Sequence, residues 1–132
     1  LIVDTSALVA VIRKEHGHDL LEDTLEAAPT IAIGAPTLFE AAMVLTARLG
    51  ESGRLALSLF VEENGIVSLP FDERHAHLAA QAFALYGKGR HSARLNYGDC
   101  MTYATAKVAD APLLFVGNDF ASTDLTPALA DL

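Results

Sequence analysis

The chain opens on Leu1-Ile2-Val3-Asp4-Thr5-Ser6, and these six residues constrain the rest most strongly. Three large apolar residues run into one carboxylate, then a hydroxyl pair, then a helical pattern from Ala7. So short and unbroken an apolar run predicts a strand buried on both faces, as in a parallel sheet. Asp4 then stands at the carboxyl end of that strand, where open α/β sheets bind their ligands. Thr5 or Ser6 suits the cap of the following helix, since a side-chain oxygen satisfies an N–H of the first turn. Taken alone, Asp4 reads more readily as a cap or turn residue than as part of a site.

Downstream, helical and strand patterns alternate. Residues 7–14 and 18–28 predict helices separated at Gly17, and Pro29 ends the second. Residues 31–33 predict a second strand. Leu38, Ala41, Ala42, Leu45 and Leu49 then recur at intervals of three and four, giving a helix with one buried face that starts near Pro36 and stops at Gly50. Residues 54–63 predict its partner, 66–69 a third strand, and Asp72 the cap of a helix running to Tyr86. Gly87 to His91 is a loop, Tyr97-Gly98-Asp99 opens a helix through Val108, and 112–116 predict a fourth strand. The tail from Thr123 has room for one strand or a turn. Alternation of this kind implies an α/β fold with a mostly parallel sheet. The two helices between the second and third strands form an antiparallel pair projecting from it.

With 132 residues, 52% hydrophobic and 20% charged, the chain is expected to form one domain with a substantial core. No apolar stretch suits a membrane span or a signal peptide, and the single Cys100 fits a reducing cytoplasm and a buried position. A net charge of −8 argues against holding nucleic acid by bulk electrostatics, but leaves room for an acidic site with a local basic rim, and for a basic protein partner.

Four acids fall where a site would form. Asp4 ends the first strand, Asp119 follows the fourth in Gly117-Asn118-Asp119, and Asp99 stands at a helix start behind Gly98. Glu40 lies about one turn into its helix, with Pro36 and Val44 four residues to either side and no cation to pair with it. Each acid alone has a structural use as a cap or turn residue, but nothing structural explains Glu40. Brought together they would raise one another's pKa, a cost that a divalent cation removes. Oxygen donors without His or Cys favour Mg²⁺, with Mn²⁺ fitting the same set, over zinc.

Four segments carry a resemblance: Val3-Asp4-Thr5-Ser6-Ala7-Leu8, Pro36-Thr37-Leu38-Phe39-Glu40, Leu95-Asn96-Tyr97-Gly98-Asp99-Cys100 and Gly117-Asn118-Asp119-Phe120. In this order and at these separations they resemble the PIN-domain ribonucleases, in particular the VapC-type toxins of bacterial toxin–antitoxin pairs. The resemblance spans essentially the whole chain, 1–132. It implies a three-layer α/β/α fold and a Mg²⁺-dependent endoribonuclease that leaves a 5′-phosphate and a 3′-hydroxyl. It also implies Asp4, Glu40, Asp99 and Asp119 as the catalytic acids, metal held by Asp4, Asp99 and Asp119, and Ser6 as their support. Asp124 is a less certain fifth acid. The implied partners are RNA, a VapB-type antitoxin with a basic C-terminal segment, and a second copy of the chain.

Other residues compete for roles. Lys88, Arg90, His91 and Arg94 form either a phosphate-holding loop or a solvated one. Tyr97 suits base stacking, though a buried ring at a helix start suits it better. His16 and His18 flank a glycine. His75 and His77 point to opposite sides of a helix, which makes them a poor zinc pair and better surface residues. Leu55, Leu57, Leu59 and Phe60 exceed one buried stripe and suggest a protein contact. A different class of function, a non-catalytic module whose acids grip a basic peptide, uses the same residues. A metal-dependent phosphatase is disfavoured, because Ser6 stands where an Asp-x-Asp motif requires a second aspartate.

Overall fold

A computed structural model describes residues 1–130. The elements are β1 (Ile2–Val3), α1 (Thr5–Ile12), α2 (His18–Ala27), β2 (Ala32–Gly34), α3 (Ala35–Leu49), α4 (Glu51–Glu63), β3 (Val67–Leu69), α5 (Glu73–Tyr86), α6 (Tyr97–Ala109) and β4 (Leu113–Leu114). The strands form one parallel sheet in the order β3-β2-β1-β4.

Alternation along these strands of two or three residues divides the core. Val3, Ile33 and Leu114 point to one face and pack with Leu8, Leu21, Leu45 and Leu57 from α1 to α4. Ile2 and Leu113 point to the other and pack with Leu95, just before α6, and with Cys100, Tyr103 and Ala106 along it. The result is a helix–sheet–helix sandwich in which β1 is central and fully buried. Burying each large aliphatic side chain contributes about 2 kcal/mol, so β1 is anchored from both sides.

Several boundaries differ from expectation. Of the expected cap candidates it is Asp4, rather than Thr5 or Ser6, that caps α1: its backbone is extended (φ −89°, ψ 158°) and its carboxylate accepts from Ser6 N. Thr5 and Ser6 therefore lie inside the helix. Lys14 takes a positive φ of 54° beyond the end of α1 at Ile12. The chain reverses between α3 and α4 at Gly50 alone, in a conformation (φ 67°) that favours glycine, so α4 starts three residues earlier than expected at Glu51. β4 is shorter than predicted because the chain leaves the sheet after Leu114, and the next amide but one, Val116 N, turns to Ser6 Oγ at 3.0 Å. The tail crosses back beside β4, with Leu113 N donating to Thr126 O at 2.9 Å and Ala128 N to Leu113 O at 2.8 Å.

α3 and α4 do pair, and they dock along α1 through Leu45 and Leu57. Of the four apolar residues singled out on α4, Leu57 is core and Phe60 half-buried, whereas Leu55 and Leu59 are exposed. No helix among the described residues is long and apolar enough to cross a membrane.

Candidate metal centre

The carboxyl ends of the strands bring the predicted acids together. Asp4, Glu40, Asp99 and Asp119 line one 330 Å³ pocket with Thr5, Ser6 and Arg48. Asp4 is buried, Glu40 and Asp99 half-buried, and Asp119 exposed at the rim.

Asp4 is held by three donors. Ser6 N and Ser6 Oγ donate to Oδ2 at 3.0 and 2.6 Å, and Thr102 Oγ1 donates to Oδ1 at 2.9 Å. Ser6 Oγ in turn accepts the N–H of Val116 at 3.0 Å, which directs its proton to Asp4. Thr37 and Thr102 hydroxyls lie 3.0 Å apart. Since Thr102 spends its proton on Asp4, Thr37 donates in that pair. A carboxylate oxygen accepts about two hydrogen bonds, so Oδ1 retains a lone pair. The sequence gives no spacing signal for Thr37 or Thr102, which lie on separate helices.

Glu40 is fixed differently. Thr5 Oγ1 donates to its Oε1 at 2.6 Å, and Gly98 leaves space for its other oxygen, since a Cβ at Gly98 would stand 2.5 Å from Oε2. Asp99 accepts from Asn96 N at 3.0 Å while Asn96 Oδ1 accepts from Asp99 N at 2.9 Å, a reciprocal cap on α6. Its carboxyl is pushed up to about 6, first by burial and then, against the Asn96 hydrogen bond, by Asp119, Asp4 and Glu40. The fields of the other three acids thus meet at Asp99. Among the described residues none of the four forms an ion pair with a lysine, arginine or histidine. An all-oxygen set with uncompensated negative charge fits a hard divalent cation. Among the described residues no group of three or more His, Cys, Asp or Glu side chains is already placed to hold an ion.

The other singled-out residues divide. Lys88 and Arg94 border a second 330 Å³ groove that shares Asp99 and Asp119 with the acidic pocket. Arg90 instead lies over the Phe83 ring at 5.6 Å, and His91 Nδ1 accepts from Ala93 N at 3.0 Å. Asp124 is outside the pocket: Tyr103 Oη donates to it at 2.5 Å and Lys107 Nζ at 2.9 Å, which holds its carboxyl below the usual range. Tyr97 is not a buried ring. It is 82% exposed beside an apolar 390 Å³ cleft with Phe71, Phe83 and Met101 between α5 and α6. His75 is not a surface residue either; it is buried, 2.8 Å from Asp72 in a reciprocal cap and beside the Phe71 ring, while His77 is exposed. His16 is exposed, and His18 lies 3.3 Å from Glu22. Cys100 is buried as expected.

The PIN domain family profile matches residues 1–125. Ribonuclease VapC36 of Mycobacterium tuberculosis is 48% identical over 126 residues, covering 95% of this chain and 91% of its own. The chain belongs to the PIN-domain family of VapC ribonucleases. Ribonuclease VapC of Mycolicibacterium smegmatis is 41% identical over 125 residues, covering 95% of this chain and 97% of its own. The fold is shared with crystal structures of VapC toxins. Mycobacterium tuberculosis VapC20, described as a sarcin–ricin loop cleaving toxin, superposes with a TM-score of 0.76 at 16% identity over 95% of both chains. VapBC2 from Rickettsia felis, bound to a DNA fragment of its promoter, gives 0.74 at 15% identity over 96% of this chain and 94% of that one.

Proposed function

We propose that this chain is the toxin of a VapBC-type pair, a Mg²⁺-dependent endoribonuclease acting through Asp4, Glu40, Asp99 and Asp119. The observation that carries the reading is the locked Asp4 carboxylate sharing one pocket with three further acids, none of the four ion-paired among the described residues. Asp4, Asp99 and Asp119 would hold the ion, Mg²⁺ or Mn²⁺. A divalent cation bound there lowers the pKa of water and neutralises charge building on a phosphodiester oxygen. Ser6 and Thr102 orient Asp4 for it. Glu40, steadied through Oε1 by Thr5, keeps Oε2 to accept a proton. Lys88 and Arg94 hold phosphates of the RNA along the adjoining groove, which Arg90, stacked over Phe83, does not line.

The whole chain reads as one PIN domain working in the cytoplasm. Its partner is a VapB-type antitoxin whose basic C-terminal segment enters the acidic pocket and whose helix covers the exposed Leu59 near α1. A homodimer is the assembly expected of it. Incubating purified protein with RNA and Mg²⁺ tests the activity: cleavage that EDTA and Asp99→Asn abolish supports it, and cleavage that survives both overturns it.

A further inference from the structure

The acidic pocket has a cation on the side away from Lys88 and Arg94. On α3, Glu40, Val44 and Arg48 recur every four residues, and all three line the pocket. Arg48 thus lies two turns beyond Glu40, about 12 Å along the helix axis. Its guanidinium reaches Glu15 at only 4.0 Å, and Glu15 is already paired with Arg13 at 2.8 Å. The Arg48 side chain is 53% exposed, and it pairs with none of the four acids beside it. The two grooves meet at Asp99 and Asp119. A trough therefore runs from Lys88 and Arg94, across the acids, to Arg48. A polyanion crossing four carboxylates in a chain of net charge −8 needs positive charge on both sides of the crossing.

We infer that Arg48 is a positioning residue that holds a flanking phosphate of single-stranded RNA on the far side of the acidic centre. This rests on the endoribonuclease reading. Glu15 restrains Arg48 without neutralising it, because its charge is shared with Arg13. Together with Lys88 and Arg94, Arg48 sets the line of the strand over the acids, and a duplex or a mononucleotide cannot engage both ends of the trough.

The test is steady-state cleavage of a labelled single-stranded RNA oligonucleotide that the wild-type protein cuts, chosen from a random-sequence pool, in Mg²⁺ at several salt concentrations. Arg48→Ala is expected to raise KM about fivefold with kcat within about twofold. Arg48→Glu should raise KM further, Arg48→Lys should restore most of the loss, and Glu15→Gln should lower KM. The slope of log kcat/KM against log salt should flatten by about 0.7 in Arg48→Ala, the share of one phosphate contact. A purely structural ion pair would move the melting temperature and leave KM and the salt slope unchanged. That result in both Arg48→Ala and Arg48→Glu, with wild-type cleavage intact, overturns the inference. Failure of the wild-type protein to cut any RNA overturns the reading beneath it.

Discussion

Thr102 Oγ1 donates to Asp4 Oδ1 at 2.9 Å, tying the first strand to a helix 98 positions later. Both residues are buried, and Thr37 feeds the same chain of hydroxyls. Thr102→Val keeps the shape and removes the donor. It should destabilise the protein by about 1–3 kcal/mol, since a buried acceptor is left short of a partner. Loosening a ligand's support should also reduce RNA cleavage about 10- to 100-fold. Denaturant unfolding and cleavage rates measured together check both.

Gly98 separates stability from function. It lies in the first turn of α6, and a methyl group there meets the Glu40 carboxylate, which Thr5 holds in place. Gly98→Ala should therefore lower cleavage at least tenfold by displacing Glu40. Helix propensity works the other way, favouring Ala by up to about 1 kcal/mol. An inactive variant whose melting temperature is unchanged or raised is the expected outcome; unimpaired activity would show that Glu40 needs no such room.

Asp99 links the site to pH. Its folded pKa of about 6 lies above the ordinary 3.8, so the metal-free folded state binds the extra proton between these values. Stability from this group is full below about 3.8 and is lost as pH rises through about 6. Asp99→Asn, which keeps an oxygen for the Asn96 amide, should gain stability over wild type on going from pH 4.5 to pH 7.5. After allowance for solvent screening of a half-buried group, the gain is about 1 kcal/mol. Mg²⁺ should stabilise the wild-type protein more at pH 7.5 than at pH 5.5, because protons and the ion compete for Asp99. Thermal melts of both proteins across this range, with and without Mg²⁺, test the sign.

Asp124 should behave unlike the other acids. It fastens the tail to Tyr103 and Lys107, and its accepted hydrogen bond from Tyr103 is the main reason its carboxyl is held low. Asp124→Asn should cost about 1 kcal/mol and leave cleavage near wild type. Asp119→Asn, at the exposed rim, should do the reverse. Parallel melting and activity measurements on the pair separate the two roles.

The four acids were legible because each follows a local punctuation mark: Asp4 after an apolar strand, Asp99 after Gly98, Asp119 after Gly117-Asn118, and Glu40 as an unpaired acid beside an apolar stripe. Of their supports only Ser6 was, through the family resemblance. Thr5 looked like a cap, yet its hydroxyl serves Glu40, which lies on another helix. Thr102 and Arg48 act across folded distance, and nothing near them in sequence marks it. Tyr97 and His75 were assigned the wrong environments for a related reason. Exposure depends on how α5 and α6 pack: Tyr97 opens onto their cleft, and His75 turns inward to its cap with Asp72. Strand lengths were overestimated where the chain leaves the sheet to build the site, as Val116 does in reaching Ser6.

The most direct test of the central claim is anomalous diffraction from crystals of the protein soaked in Mn²⁺. A manganese peak ligated by Asp4, Asp99 and Asp119, with Glu40 nearby and Asp124 uninvolved, is the expected result. Saturating Mn²⁺ that leaves this position empty, with a basic side chain seated among the four acids instead, would contradict it.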